Sequence, residues 1–400
     1  MGFLMRRRSA HIGPAHRNPR RLAVAAVLLG LMLGGCADRI RVERRMTAAS
    51  FDWIMYGGSG GRTNESYSSL KPPLEPVWEY NAMAGISGTP LVKDSVVLIG
   101  TLQGELHAIR LSDGESLGSS AVESAIVGTP VWDGAFAYVA CGLGNETLVC
   151  VSLRDGQRRW ALRMGPIESS PLMIGSFLYV TTLDGSLVAL TKEDGKEVWR
   201  YEYAAKDLRK PVRSSPASDG EVIIVGSDGG DVFAVERITG RLRWKIQVGS
   251  SVFATPVISD GLCIAGTLDG KLVAMDARTG SIRWSYETGS RIYAAAAASA
   301  DHVFIGSADG TLIALSRESG SMSWKFHAKS SISSAPLISG DMLYVGSLDR
   351  KLYALQIETG VKLWEYEAEG RIRVSPVIWG DVLLVTYEDK FITAMRPGRP

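Results

Sequence analysis

The side chains that could support chemistry are few and scattered in this sequence. Beyond residue 35 the histidines are His107, His302 and His327, and none has a cysteine, histidine or acidic partner at metal-ligand spacing. The sequence also lacks the phosphate-binding loop and the His-Glu-x-x-His motif. We therefore expect no catalytic residue and no metal site in this chain.

Cysteines could support a second kind of chemistry. Cys141 and Cys150 flank the turn between two strands, and a count across that turn places them on one face, a diagonal step apart. An oxidising compartment would allow a disulfide, although a diagonal Cα spacing can exceed the ~7 Å that a bridge tolerates. The alternative is two reduced thiols. Cys263 is expected to be a buried thiol in a strand.

The fourth cysteine, Cys36, follows a leader over residues 1–35. A basic stretch precedes an apolar run from Leu22 to Leu33, which has the length of a signal peptide and is too short to span a membrane. Leu33-Gly34-Gly35-Cys36 resembles the lipobox of bacterial lipoproteins, which implies acylation of Cys36 and membrane anchoring. By the same resemblance, Ala37 implies release to the outer membrane. The alternative is a cleaved secretory signal with a coincidental cysteine.

Residues 36–77 are expected to form a lipidated tether. About 40 residues of flexible coil span roughly 35 Å. Arg39, Arg41, Arg44 and Arg45 could lie near anionic headgroups, or they could belong to a plain solvated linker. The aromatic residues between Asp52 and Gly58 are unusual for a linker, so we expect that stretch to pack against the body.

Charge excludes one class of function. The formal charge is +2, but the first 35 residues contain six arginines and no acid, which leaves the remaining 365 residues at −4. A mildly acidic domain lacks the excess of basic residues with which proteins bind nucleic acid. No later apolar run approaches the ~18–20 residues of a transmembrane helix, which excludes a multi-span membrane protein.

A forty-residue repeat organises the rest of the chain. Prolines lie at positions 90, 130, 171, 216, 256, 336 and 376, with Ala296 in the eighth place. Tryptophans keep the same period, with Gly118 in the missing place: Trp78, Trp160, Trp199, Trp244, Trp284, Trp324 and Trp364. Each repeat contains four short apolar runs separated by turns such as Asp-Gly and Thr-Gly, in which glycine supplies a positive φ.

Four antiparallel strands per repeat predict an all-β fold, an eight-bladed β-propeller over residues 78–395 with a tail at 396–400. The repeats begin with a fourth-type strand at 77–81 and end after a third-type strand at Ala394. We therefore expect the N-terminal strand to complete the last blade and close the ring.

The spacing from Ala274 through a Thr-Gly turn to Trp284 resembles the tryptophan-docking repeat of quinoprotein-like (PQQ-repeat) propellers. A lipidated chain with eight such repeats is similar to the BamB family of the outer-membrane β-barrel assembly machinery. The resemblance implies a lipid-anchored protein on the periplasmic face of the outer membrane, with a protein partner from that machinery. The tryptophans are expected to be core packing. Because Gly118 stands in place of the tryptophan of the motif, the first blade should be held less firmly in the ring.

Quinoprotein enzymes hold a quinone over calcium with acidic and amide ligands and a disulfide between adjacent cysteines. This sequence has no adjacent cysteine pair, and its acids lie mostly in turns, where they bond their own backbone. We therefore expect a non-catalytic scaffold without a cofactor. The alternative is a PQQ- and calcium-dependent oxidoreductase or a periplasmic ligand sensor.

Departures from the repeat indicate where a partner could bind. An enlarged link after Trp199 and an enlarged turn at 142–146 should lie on the same face of the disc, where the central channel also opens. Positions five and three before each proline approach the channel from that face and include Glu168. Arginines beside aromatic residues are typical of surfaces that bind proteins. The alternative is that these side chains are solvated and surround a water-filled funnel. The candidate contact residues are Lys206, Arg209, Lys210, Arg213, Phe253, Arg291, Tyr293, Arg371 and Arg373.

Overall fold

Short runs of valine, isoleucine and leucine between glycine-containing turns produce an all-β fold in this computed structural model. The structure describes residues 39–42, 52–122, 124–203, 211–387 and 390–398. Turn glycines adopt the predicted positive φ, for example +90° at Gly270 and +88° at Gly310. Over these ranges, no helix has the length and hydropathy of a membrane span.

The strands follow one another in groups of four, which we number as blades 1 to 8. Two strands precede them, β1 (Glu65–Ser66) and β2 (Leu74–Asn81). Blades 1 and 2 contain β3 (Leu91–Lys93), β4 (Val96–Gly100), β5 (Glu105–Arg110), β6 (Ser116–Ala121), β7 (Val131–Trp132), β8 (Phe136–Ala140), β9 (Leu148–Ser152) and β10 (Arg158–Leu162). Blades 3 and 4 contain β11 (Leu172–Ile174), β12 (Phe177–Thr181), β13 (Ser186–Thr191), β14 (Glu197–Glu202), β15 (Ala217–Ser218), β16 (Val222–Gly226), β17 (Asp231–Glu236) and β18 (Leu242–Gln247).

The second half of the ring repeats this arrangement. Blades 5 and 6 contain β19 (Val257–Ser259), β20 (Leu262–Gly266), β21 (Lys271–Asp276), β22 (Ile282–Glu287), β23 (Ala297–Ala298), β24 (His302–Gly306), β25 (Thr311–Ser316) and β26 (Met322–His327). Blades 7 and 8 contain β27 (Leu337–Ser339), β28 (Met342–Gly346), β29 (Lys351–Gln356), β30 (Lys362–Glu367), β31 (Val377–Trp379), β32 (Val382–Tyr387) and β33 (Phe391–Pro397).

Each blade has four antiparallel strands, and the described residues form eight such blades. The sheet of blade 7 also carries β1 as a fifth strand, parallel to β27. The prediction of an eight-bladed propeller is confirmed. The predicted closure is also confirmed, because β2 pairs with β33 and supplies the fourth strand of blade 8. The ladder runs from Leu74 against Pro397 to Asn81 against Phe391. It therefore extends beyond the predicted limits at one end, where residues before 77 pair with residues after Ala394.

The tryptophans lock neighbouring blades together. Most of these indoles face a third-strand alanine of their own sheet, as Trp244 faces Ala234, whereas Trp160 faces Cys150. Six of them lie under a glycine of the next blade. At Gly280 (φ +74°), a Cβ atom would come within 2.8 Å of the Trp244 ring. The indole N–H donates to the carbonyl that follows the third strand of the next blade, at 2.7–3.2 Å. Among the described residues, six indoles do so: Trp78, Trp160, Trp199, Trp244, Trp284 and Trp324.

The structure does not form the disulfide considered for Cys141 and Cys150. In the register of β8 and β9, Cys150 faces Tyr138, whereas the Cys141 amide bonds to the Thr147 carbonyl. Because Tyr138 and Cys141 are three residues apart, the two cysteines point to opposite faces of the sheet. The predicted register was wrong by one residue, which is enough to reverse a face. Burial raises the pKa of the Cys150 thiol to about 12.

Candidate functional site

The two faces of the disc differ in what they carry. Links between blades and the turns after second strands lie on one face, which we call the open face. The turns after first and third strands lie on the other, which we call the sealed face. A funnel of about 290 Å³ opens on the open face along the ring axis. Its mouth is lined by the residues three positions before each repeat proline: Ser87, Val127, Glu168, Arg213, Phe253, Tyr293, Ser333 and Arg373.

The structure brings together some of the predicted contact residues and separates others. Five of the predicted positions line the funnel, namely Glu168, Arg213, Phe253, Tyr293 and Arg373. Arg291 and Arg371 come two residues before Tyr293 and Arg373 in the chain. They are exposed, but they do not line the funnel. Lys206, Arg209 and Lys210 lie outside the described residues, as does Cys36.

Charges at the funnel mouth are paired with one another. The Nε atom of Arg213 donates to Oε2 of Glu168 at 3.1 Å, and its Nη1 atom contacts Oδ2 of Asp228. Partial burial raises the pKa of Asp228 above its ordinary value, although the Arg213 guanidinium acts in the opposite direction. One arginine thus holds two carboxylates at the boundary between blades 3 and 4.

Apolar side chains occupy other parts of the open face. Phe253 and Tyr293 occupy equivalent positions in blades 5 and 6 and are 41% and 37% exposed. Leu102 and Leu143, in the turns after the second strands of blades 1 and 2, are also exposed. Aromatic residues beside arginines, held on a rigid scaffold, are typical of protein-binding surfaces.

Below the mouth, a ring of hydroxyl groups joins neighbouring blades. The Thr129 amide donates to Ser170 Oγ at 2.9 Å, and the Ser170 amide donates to Ser215 Oγ at 2.9 Å. Thr89 makes the same contact with Thr129. These bonds satisfy buried backbone amides and therefore stabilise the ring. The sequence signal, a hydroxyl residue immediately before most repeat prolines, was missed by our sequence analysis.

Residues 52–66, which we call the floor segment, close the channel on the sealed face. Its backbone pairs with the end of the first strand in blades 1, 2, 4, 5, 6 and 7, through Val92, Trp132, Ser218, Ile258, Ala298 and Ile338. Its side chains reach the two remaining blades. The expected packing of the aromatic stretch is thus observed. The tether expected over residues 36–77 is wrong over residues 39–42 and 52–77, which pack against the blades.

Arg62 lies at the centre of the floor segment and is fully buried. Its guanidinium donates to the carbonyls of Pro216 at 3.1 Å, Tyr56 at 2.6 Å and Pro171 at 3.0 Å. Burial lowers the pKa of Arg62 to about 9. Desolvation raises the pKa of Tyr56 to about 12, although the Arg62 charge opposes this. Nothing in the repeat pattern indicated this buried cation, because its partners are backbone carbonyls.

The funnel does not fit calcium-bound quinone chemistry. Calcium requires six to eight converging oxygen ligands. The carboxylate in the lining, Glu168, is bonded to Arg213, and Tyr56 lies at the bottom of the funnel. Among the described residues, no group of three or more His, Cys, Asp or Glu side chains could hold a metal ion.

Comparison with known proteins gives the family. A family model described as outer membrane protein assembly factor BamB matches residues 74–162, 143–219, 183–295 and 287–398, which together cover the blades. The chain belongs to the BamB family. A BamB of Shewanella oneidensis is 24% identical over 235 residues, which cover 46% of this chain and 59% of that protein. A BamB of Yersinia pestis is 27% identical over 53% of this chain and 54% of its own. The chain thus spans about half the length of the curated BamB relatives it matches.

Solved structures confirm the propeller fold. A crystal structure of BamB from Moraxella catarrhalis has a TM-score of 0.69 at 20% identity, covering 81% of this chain and 99% of that one. Quinohemoprotein alcohol dehydrogenase from Comamonas testosteroni has a TM-score of 0.75 at 12% identity, covering 88% of this chain and 82% of that one. At these identities the likeness shows the fold alone, which BamB proteins share with quinoprotein enzymes.

Proposed function

We propose that this protein is a lipid-anchored scaffold of the bacterial envelope whose open face binds a protein partner in outer-membrane β-barrel assembly. The observation that carries the proposal is the exposed pair Phe253 and Tyr293 at the funnel mouth, together with Arg373. Family membership and the lipobox at Cys36 support the location and the anchor.

The partner surface that fits is apolar with acidic groups. Phe253, Tyr293, Leu102 and Leu143 offer exposed apolar area around the funnel. Aromatic side chains bury large areas at a low entropic cost, and arginines near them recognise carboxylates. The ring is held by backbone ladders and indole contacts, so it presents these groups without needing to rearrange.

Site-specific crosslinking tests this proposal. A photo-crosslinking residue at Tyr293 should capture a component of the β-barrel assembly machinery in intact cells. The control position is Ile282, which is exposed on the outermost strand of blade 5. Equal capture from both positions, or no assembly component from Tyr293, contradicts the proposed face.

The catalytic alternative has a direct test. The purified protein is mixed with PQQ and Ca²⁺, and dye reduction is followed with alcohols and aldose sugars as substrates. A scaffold gives no reduction above the protein-free control. Turnover that depends on both additives would reject the scaffold as the sole function.

A further inference from the structure

The junction between blades 1 and 2 lacks its tryptophan. At six other junctions in the described part of the chain, the indole N–H binds the carbonyl after the next third strand, and a glycine three residues later covers the ring. The corresponding groups of blade 2 are the Leu153 carbonyl and Gly156. Gly118 replaces the indole that should reach them. Without a substitute, this junction would have a void and an unpaired carbonyl.

Residues Arg39–Val42, which we call the strap, occupy this place. The Val42 amide donates to the Leu153 carbonyl at 2.8 Å, the acceptor that an indole uses elsewhere. A Cβ atom on Gly156 would come within 3.0 Å of Arg39 Cβ and 3.1 Å of the Ile40 nitrogen. Ile40 is fully buried, in the same apolar cluster as Ala108, the alanine that faces the missing ring.

The strap also extends the sheet of blade 1. The Ile40 amide donates to the Ser119 carbonyl at 3.3 Å, and the Arg41 amide donates to the Leu117 carbonyl at 3.2 Å. Arg39 pairs with Ser119 in a parallel bridge along the outer strand β6. The strap therefore replaces the indole in hydrogen bonding and in volume, and it covers an otherwise open sheet edge.

We propose that the strap takes the place of the blade 1 tryptophan and holds the rim of blades 1 and 2 against the lipid surface that anchors the chain. This rests on the proposed acylation of Cys36. In the sequence, only Ala37 and Asp38 separate that cysteine from the strap, so an anchored chain has a two-residue tether. Arg39, Arg41 and Arg154 are exposed at this rim, where an anionic headgroup layer would attract them.

Hydrogen exchange of the full-length lipidated protein in detergent tests the strap itself. The amides of Ile40, Arg41 and Val42 should exchange slowly in the wild type. Ile40→Asp places a charge in a fully buried site and should accelerate that exchange by about tenfold or more. Ile40→Leu, the matched control, should preserve protection. Equal exchange in wild type and Ile40→Asp overturns the strap.

Fluorescence quenching in vesicles tests the orientation. The lipidated protein, labelled through Arg154→Cys or Arg278→Cys, is added to phosphatidylethanolamine and phosphatidylglycerol vesicles that contain a headgroup quencher. Arg278 is the matched control, because it follows Ala277 in blade 5 as Arg154 follows Leu153 in blade 2. We expect the label at 154 to be quenched roughly twice as strongly, and Ile40→Asp to abolish the difference.

The outcomes separate the two proposals. Vesicle binding with equal quenching at both positions overturns the rim orientation and leaves the anchor intact. Failure of the protein to bind vesicles overturns the anchor and, with it, the orientation. Slow exchange of the strap amides together with stronger quenching at position 154 supports the inference in full.

Discussion

The sealed face and the open face of this propeller use different parts of the same repeat. On the sealed face the floor segment pairs with backbone groups at the ends of the first strands of six blades. On the open face the equivalent positions carry serine, valine, glutamate, arginine, phenylalanine and tyrosine. Backbone pairing that repeats around a ring serves stability. Side chains that break the repeat, on a face whose backbone needs no further partner, are available for recognition.

The largest expected effect lies on the sealed face. Arg62→Met should lower the free energy of unfolding by about 3 kcal/mol, because two buried carbonyls and one partly buried carbonyl lose their donor. Urea denaturation followed by tryptophan fluorescence measures this. Arg213→Met, at the half-buried arginine of the open face, is the control and should cost less than about 1 kcal/mol. Equal losses would remove the structural distinction between the faces.

A large effect on binding is expected on the open face. The double variant Phe253→Ser and Tyr293→Ser should weaken partner binding by about tenfold or more, since exposed aromatics supply much of the energy at such surfaces. Its urea midpoint should stay within error of the wild type. Affinity for the crosslinked partner, measured by titration, checks the first expectation. A lower urea midpoint with an unchanged affinity for the partner would mean that these two residues serve stability and not recognition.

A smaller effect is expected at the tryptophan locks. Trp244→Phe keeps most of the ring and loses the hydrogen bond to the Ala277 carbonyl, which should cost about 1 kcal/mol. Phe253→Leu on the open face is a comparable change without a buried hydrogen bond and should be neutral. Thermal unfolding of both variants distinguishes them, and a neutral Trp244→Phe would mean that the indole acts through packing alone.

The smallest effect concerns pH. Burial raises the pKa of Asp228, so the folded chain holds this proton at a pH where the unfolded chain has released it. Stability from this group is therefore present at low pH and decreases as pH rises through the window just above the ordinary carboxyl pKa. Asp228→Asn should flatten that part of the stability profile. If the free energy of unfolding, measured by urea denaturation between pH 3.5 and 6, depends on pH equally in Asp228→Asn and in the wild type, this assignment is contradicted.

Much of the fold could be predicted from the repeat. The spacing of proline and tryptophan gave the number of blades, and the type of the first and last strands gave the closure between β2 and β33. The open face and five of its lining residues were also predicted, because strand order alone decides which turns share a face. The Cys141 and Cys150 geometry was not, since an error of one residue in register moves a side chain to the opposite face.

Local sequence thus determined by itself what repeats: strands of period two, turns at glycine, and an indole opposite an alanine. The tertiary structure alone decided what is paired through the backbone. Arg62 binds two carbonyls from distant positions, Pro171 and Pro216, and Val42 binds the carbonyl that a tryptophan would otherwise use. Every residue has a carbonyl and nearly every residue an amide, so such partners leave no signal in residue type, and only folding shows which of them meet.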